Sequence, residues 1–214
     1  MKYKQLQPIL NDESKIKIVS GGRYSGKTTL LFLSAIKSAT EDKNEYNYIF
    51  MPDYTYIRYM IPEFIKHLDE QSIEYDYIKR HYMFNLSNGS HIIFRSYYNP
   101  ESIKRIRTDW IGIEEAIWCK PNFIHNIIPT LNAKGKLLIC STPTNKDTEF
   151  LQMFLKGLNS TDNKYIKSFI IKTSDNPILK AIEYDKEAKS LFTQSKYQQE
   201  CNGIVSMMNQ SNTI

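Results

Sequence analysis

The chain has 214 residues, 41% hydrophobic and 24% charged, with a formal net charge of +5, the profile of one large globular domain. No apolar run approaches the roughly 20 residues that span a bilayer, and Met1-Lys2-Tyr3-Lys4-Gln5 lacks the apolar core of a secretory signal, so no membrane partner is expected. Cys119, Cys140 and Cys201 are odd in number and outside metal-ligand spacing, which excludes a disulfide scaffold and fits reduced thiols of a cytosol.

In chain order, Ile16-Lys17-Ile18-Val19-Ser20 predicts a short strand, and Lys27 to Ile36 a helix. Between them lies Gly21-Gly22-Arg23-Tyr24-Ser25-Gly26-Lys27-Thr28, an ungapped match to G-x-x-x-x-G-K-[ST]. Tyr48 to Met51 is a second strand, closed by Pro52-Asp53, and Ile57 to Leu68 a helix with Pro62 near its start. Tyr82 to Leu86 and His91 to Phe94 flank Asn88-Gly89, a hairpin signal that predicts two antiparallel strands within an otherwise parallel order. Asp109 to Ile113 runs as a strand into Glu114-Glu115. Pro121 is expected to open a helix reaching about Leu131. Lys136 to Cys140 is a buried strand ending at Ser141-Thr142-Pro143, followed by a helix over 149–158, a strand over 165–173 and a helix over 182–192. Alternation of this kind predicts an α/β fold with a mainly parallel central sheet flanked by helices and an inserted antiparallel hairpin. Residues 1–205 are expected to form one domain and 206–214 a flexible tail.

The glycine-rich loop carries the first chemistry. Gly21 and Gly26 let successive backbone N–H groups turn toward an anion, and the following helix adds its positive end. Lys27 supplies a point charge for the β- and γ-phosphates, and the Thr28 hydroxyl a ligand for Mg²⁺. The loop therefore implies a nucleoside triphosphate, with Gly21, Gly22, Arg23, Tyr24, Ser25, Gly26, Lys27, Thr28 and Thr29 around its phosphates. Hydrolysis further needs a metal-supporting carboxylate and a group that orients water. Glu114 and Glu115 end an apolar strand, where open α/β sheets place their ligands. Glu114 is assigned to the outer shell of Mg²⁺, although it stands one methylene longer than the aspartate usual there, and Glu115 to the water. Ser141 and Thr142 follow the next strand as candidate sensors of the γ-phosphate or, equally, as a turn or cap. His67, His81, His91 and His125 show no metal pairing, and the 15 tyrosines fall mostly at core spacing.

Together these segments resemble the ATPase half of the large terminase subunit, the DNA-packaging motor of tailed bacteriophages, over nearly the whole chain. The loop is similar to the family's phosphate loop, including the arginine after the glycine pair. Ile93-Phe94-Arg95 with Asn99-Pro100-Glu101-Ser102-Ile103-Lys104 resembles the segment before its acidic strand. Trp110-Ile111-Gly112-Ile113-Glu114-Glu115-Ala116 looks like the acidic motif of its Glu-Glu-Ala branch. Ser141-Thr142-Pro143-Thr144-Asn145 matches the coupling motif, and Asp175-Asn176-Pro177-Ile178-Leu179 with Tyr197-Gln198-Gln199-Glu200 the closing segment.

The resemblance implies a P-loop NTPase of ASCE type that uses ATP and Mg²⁺ to translocate double-stranded DNA without regard to sequence. It implies a homo-oligomeric ring docked on the portal of a procapsid in the host cytoplasm, with a monomer expected in isolation. A small terminase subunit or a separate nuclease would be further partners. The family continues into a nuclease domain where this chain stops, so no DNA cleavage is expected from it. Arg23 is the expected contact in cis. Arg80, Arg95, Arg105 and Arg107 are candidates in trans, with Arg105 and Arg107 preferred and a basic face or DNA contact as the alternative. Gln5 and Gln7 stand where such motors read adenine, or in a polar N-terminal strand. Two other classes share the loop: small-molecule or nucleotide kinases, and non-catalytic nucleotide-dependent assembly subunits.

Overall fold

The computed structural model describes residues 3–98 and 107–209. In chain order the described elements are α1 (Gln7–Leu10), β1 (Ile16–Gly21), α2 (Lys27–Glu41), β2 (Tyr46–Met51), α3 (Tyr54–Glu70), β3 (Tyr75–Ile78), β4 (Met83–Leu86) and β5 (His91–Ser96). They continue with β6 (Thr108–Ile113), α4 (Phe123–Ile127), β7 (Leu131–Ser141), α5 (Glu149–Leu158), β8 (Ile166–Ile171), α6 (Leu179–Leu191), α7 (Gln194–Asn202) and α8 (Ser206–Asn209). The chain divides into two compact units, one built from the part up to Leu30 together with Ile139 onward, the other from Leu31–Leu138.

In the first unit the strand order is β7-β1-β8, contributed by the last residues of β7. β1 is buried at all of its positions and runs parallel to β8, from Ile16 opposite Ile166 to Gly21 opposite Ile171. That burial extends to a charged residue. Lys17 is 5% exposed, and its ammonium reaches the carbonyls of Ile9 and Asp12 at 3.0 and 3.1 Å, which offsets the cost of enclosing it. Thr148 caps α5 by accepting the Leu151 N–H. α7 ends at Gly203, whose φ of +66° a side chain would strain, and which packs against the backbone of Gly21.

In the second unit the order is β3-β4-β5-β2-β6-β7. β2 lies between β5 and β6 and is parallel to both, with Tyr48 opposite Ile93 and Ile111. β4 and β5 form the expected antiparallel hairpin, and its turn glycine, Gly89, takes φ +86°. β3 is a third antiparallel strand that the sequence reading missed. It is held by aromatic contacts, since the Tyr77 ring stacks on Phe84 at 4.4 Å. Phe32, Phe64, Phe84 and Phe94 meet edge to face beneath it, all fully buried. Truncating one such ring costs roughly 3–5 kcal/mol.

Two helix boundaries differ from expectation. Pro62 lies inside α3, not near its start, because Asp53 caps the helix earlier by accepting the Tyr56 N–H. The helix expected from Pro121 to Leu131 shrinks to α4 and a 3-10 turn over Ile128–Thr130, since Asn122 is left-handed (φ +63°) and β7 already begins at Leu131. His67 is buried, with Nδ1 3.9 Å from the Glu70 carboxylate. Of the expected tail, Ser206–Asn209 is helical, and 210–214 lie outside the described residues.

Candidate functional site

The phosphate loop leaves β1 at Gly21 and enters α2 at Lys27, as the sequence requires. The carbonyls of its first four residues are all engaged. Lys27 Nζ donates to the carbonyls of Gly21 and Gly22 at 3.1 and 2.8 Å, Thr173 Oγ1 to that of Arg23 at 2.6 Å, and Asn176 Nδ2 to that of Tyr24 at 2.6 Å. Three of its amides are taken up as well, Gly22 N–H by the Ile171 carbonyl at 3.1 Å, Arg23 N–H by the Glu200 carbonyl at 2.6 Å and Ser25 N–H by the Gly22 carbonyl at 3.3 Å, which holds the loop in a tight curl. Tyr24 takes φ +57° and Gly26 φ +101°, the left-handed positions that such a curl needs. Gly22 has no room for a side chain, because an added Cβ would overlap the Cys201 carbonyl.

The chemistry of these groups fits a polyphosphate. Lys27 is 7% exposed, and its ammonium touches carbonyls and the Thr142 hydroxyl (2.9 Å) but no carboxylate among the described residues. A nearly buried cation with only dipolar partners favours an anionic ligand. Ser25 Oγ is enclosed with no hydrogen-bond partner among the described residues. The contact with Lys27 brings the end of β7 to the loop through Thr142. Ser141 is fully buried, and its hydroxyl lies 3.3 Å from the Thr142 carbonyl. Thr28 and Thr29 sit in the first turn of α2. Gln5 and Gln7 lie on helical turns rather than on a strand, and Leu6 between them packs beside Gly26.

Arg23 is bound to α7. Its Nε donates to Glu200 Oε2 at 2.6 Å, and its backbone N–H to the Glu200 carbonyl at 2.6 Å. Burial opposes the charge on Glu200, but hydrogen bonds from Lys196 and Arg23 outweigh it and hold the carboxyl below its ordinary range. Burial pushes the neighbouring Cys201 thiol up to about 11, so it stays protonated at neutral pH.

The acidic pair belongs to the second unit. Glu114 is 1% exposed, with its N–H bound to the Phe50 carbonyl at 2.9 Å. Glu115 is left-handed (φ +48°, ψ 50°), a conformation that costs a residue with a side chain roughly 1–3 kcal/mol. The buried Tyr97 hydroxyl supports it by donating to the Glu115 carbonyl at 3.1 Å. Burial raises the pKa values of Tyr97 and Tyr56, and both glutamates add to the rise, so each hydroxyl keeps its proton beside them.

Elsewhere in this unit Tyr54, Arg58, Arg80, His81, Tyr82 and Arg95 line an open cavity of about 430 Å³. Arg95 Nη1 donates to the carbonyls of His81 and Phe94, Arg80 Nε to His81 Nε2, and Arg58 Nη2 to Thr55 Oγ1. None of these three arginines pairs with a carboxylate among the described residues. The sequence reading had Arg80 and Arg95 as separate candidates and missed Arg58. Arg107 is exposed, and Arg105 lies outside the described residues. No group of three or more histidine, cysteine or acidic side chains suited to a metal occurs among the described residues, and no described helix is long and apolar enough to cross a membrane.

The chain is similar in structure to the large terminase ATPase domain of Thermus phage P74-26, with a TM-score of 0.72 at 20% identity, covering 93% of this chain and 92% of that one. It is also similar to the large terminase of a thermophilic bacteriophage solved in complex with ADP (TM-score 0.75, 13% identity, 94% and 52% covered). A third likeness is to the HK97 bacteriophage large terminase (0.70, 13%, 92% and 48%). The chain thus spans about half the length of the last two. No curated protein matches it. The family model described as terminase large subunit, T4likevirus-type, N-terminal, matches residues 18–212, and the chain belongs to that family.

Proposed function

We propose that this chain is the ATP-hydrolysing motor of a terminase large subunit, translocating double-stranded DNA into a procapsid. The observation that carries the reading is the phosphate loop itself, with its carbonyls tied back and the nearly buried Lys27 ammonium set among dipoles. The large terminase of the thermophilic bacteriophage has been solved with ADP and with ATP-γ-S, which supports the same ligand here. Lys27 draws charge from the transferring phosphoryl group, and Thr142, already bonded to Lys27, senses its loss. From the sequence alone, Thr28 and, through water, Glu114 are the residues that would hold Mg²⁺, which would neutralise charge that develops on the phosphates. Glu115 orients and deprotonates the attacking water.

DNA is gripped, in this reading, by Arg58, Arg80 and Arg95, three guanidiniums with no acidic partner among the described residues, which suit backbone phosphates rather than bases. The arginine acting in trans is then Arg105 or Arg107. The portal, the ring and docking in the host cytoplasm follow from the family resemblance, as does assignment to the Glu-Glu-Ala branch.

Phosphate release and nucleotide binding test this together. Lys27→Ala is expected to lose hydrolysis and most ATP affinity with the fold intact. Glu115→Gln should bind ATP but turn it over about 10²–10⁴-fold more slowly, the usual contribution of a general base, and Glu114→Gln should raise the Mg²⁺ requirement. Hydrolysis by Lys27→Ala at the parent rate would overturn the reading. A transferred phosphoryl group on a small-molecule acceptor would favour a kinase instead.

A further inference from the structure

Arg23 is an exposed side chain held by a buried one. Its side chain is 63% accessible, whereas that of Glu200 is 7% accessible. Exposed arginines usually sample many rotamers and lose that freedom on binding. Here the Nε–H is fixed to Glu200 Oε2, and the backbone N–H of the same residue to the Glu200 carbonyl, so side chain and main chain are anchored to one residue of α7. The carboxylate is itself immobilised, because Oε1 accepts from Lys196 Nζ at 2.7 Å and from Gln199 Nε2 at 3.5 Å. Close approach of α7 is possible only because Gly22 lacks a Cβ where the Cys201 carbonyl sits.

Two further features decide what the anchor does. Nε is the nitrogen used, and a guanidinium carries its other four N–H donors on the two terminal nitrogens, the pair that forks against phosphate. Two cations, Lys196 and Arg23, share one carboxylate, so Glu200 does not cancel the charge of the arginine it holds. A carboxylate arranged in this way orients an arginine for a ligand without competing for it.

We propose that Glu200 is the positioning residue for Arg23, holding its guanidinium in the orientation in which it meets the γ-phosphate. This deepens the reading of the loop as an ATP site and rests on it. It also makes α7 the element whose displacement would disengage the arginine.

The experiment measures affinity for ATP-γ-S and for ADP by titration calorimetry on the full chain, so that the ratio isolates the γ-phosphate, with thermal melts as a control. Arg23→Ala and Glu200→Ala are each expected to lower the ATP-γ-S to ADP affinity ratio about tenfold, the scale of one hydrogen bond to a charged group. The double variant should lose no more than Arg23→Ala alone. Two conservative variants, which fold where alanine fails, separate orientation from charge. Glu200→Gln keeps an acceptor oxygen in reach of Nε and should retain most of the ratio. Glu200→Asp keeps the charge but draws back the oxygen, and should behave like alanine. Ratios that multiply in the double variant, or aspartate restoring what glutamine does not, would overturn the proposal. If the parent chain binds neither nucleotide, the ATP reading falls and this one with it, whereas a binding parent with equal ratios across the Glu200 variants overturns the positioning role alone.

Discussion

Gly22 shows most sharply how a single residue ties sequence to site. Without a Cβ it lets α7 close on the loop, and the Cys201 carbonyl occupies the space a side chain would need. Gly22→Ala is therefore expected to push α7 away, lower stability by roughly 1–3 kcal/mol, and loosen ATP binding. A melting temperature and ATP affinity equal to the parent would contradict this. Residues of the loop were legible because they are contiguous and their types are dictated by chemistry: glycine for curvature, lysine for charge, threonine for a metal. Their supports were not. Thr173, Asn176 and Glu200 reach the loop across 150, 152 and 177 residues, and nothing in their local pattern names a partner. The left-handed backbone at Glu115 was equally hidden, because an ordinary glutamate carries no signal for positive φ.

Among elements, the parallel strands were plain from their apolar runs and the β4–β5 hairpin from Asn88-Gly89. β3 was not, since Tyr75-Asp76-Tyr77-Ile78 is short, carries a charge at its second position and owes its place to rings packing on Phe84. α6 and α7 carry a pH dependence that can be measured. Glu200 and Asp185 are opposed by burial, yet hydrogen bonds from Lys196, Arg23, Lys189 and Tyr197 hold both carboxyls below their ordinary range. Because the folded values are lowered, the stabilisation is present above the unfolded pKa, about 4, and is lost as pH falls through the folded values. Melting temperature should therefore drop as pH goes below about 4, and Glu200→Gln should flatten part of that drop. A variant as pH-sensitive as the parent would remove Glu200 from the account. The arginines at the α3–β5 cavity make a different prediction. Arg80→Ala and Arg95→Ala should weaken duplex binding evenly across sequences and each reduce the salt slope by about 1. Binding with unchanged slope would show that DNA lies elsewhere.

At the scale of the molecule, the proposed motor would have a rate that depends on its neighbours. An arginine supplied in trans adds about 10³–10⁵ in rate to related phosphoryl-transfer sites, and a chain of net charge +5 gains little from self-association in dilute solution. Mixing Lys27→Ala chains with Arg107→Ala or Arg105→Ala chains should restore hydrolysis, because each supplies what the other lacks. Failure with both arginines, and with Arg80 and Arg95, would remove the shared site.

The central claim, that the phosphate loop drives an ATPase assembled on DNA, is tested most directly by phosphate release per chain. It is measured from dilute to concentrated protein with and without duplex DNA, the parent beside Lys27→Ala. The account predicts a feeble parent rate that climbs with concentration and with DNA, and none from Lys27→Ala at any concentration. A rate per chain that is already full at the lowest concentration and indifferent to DNA, or that survives Lys27→Ala, would contradict it.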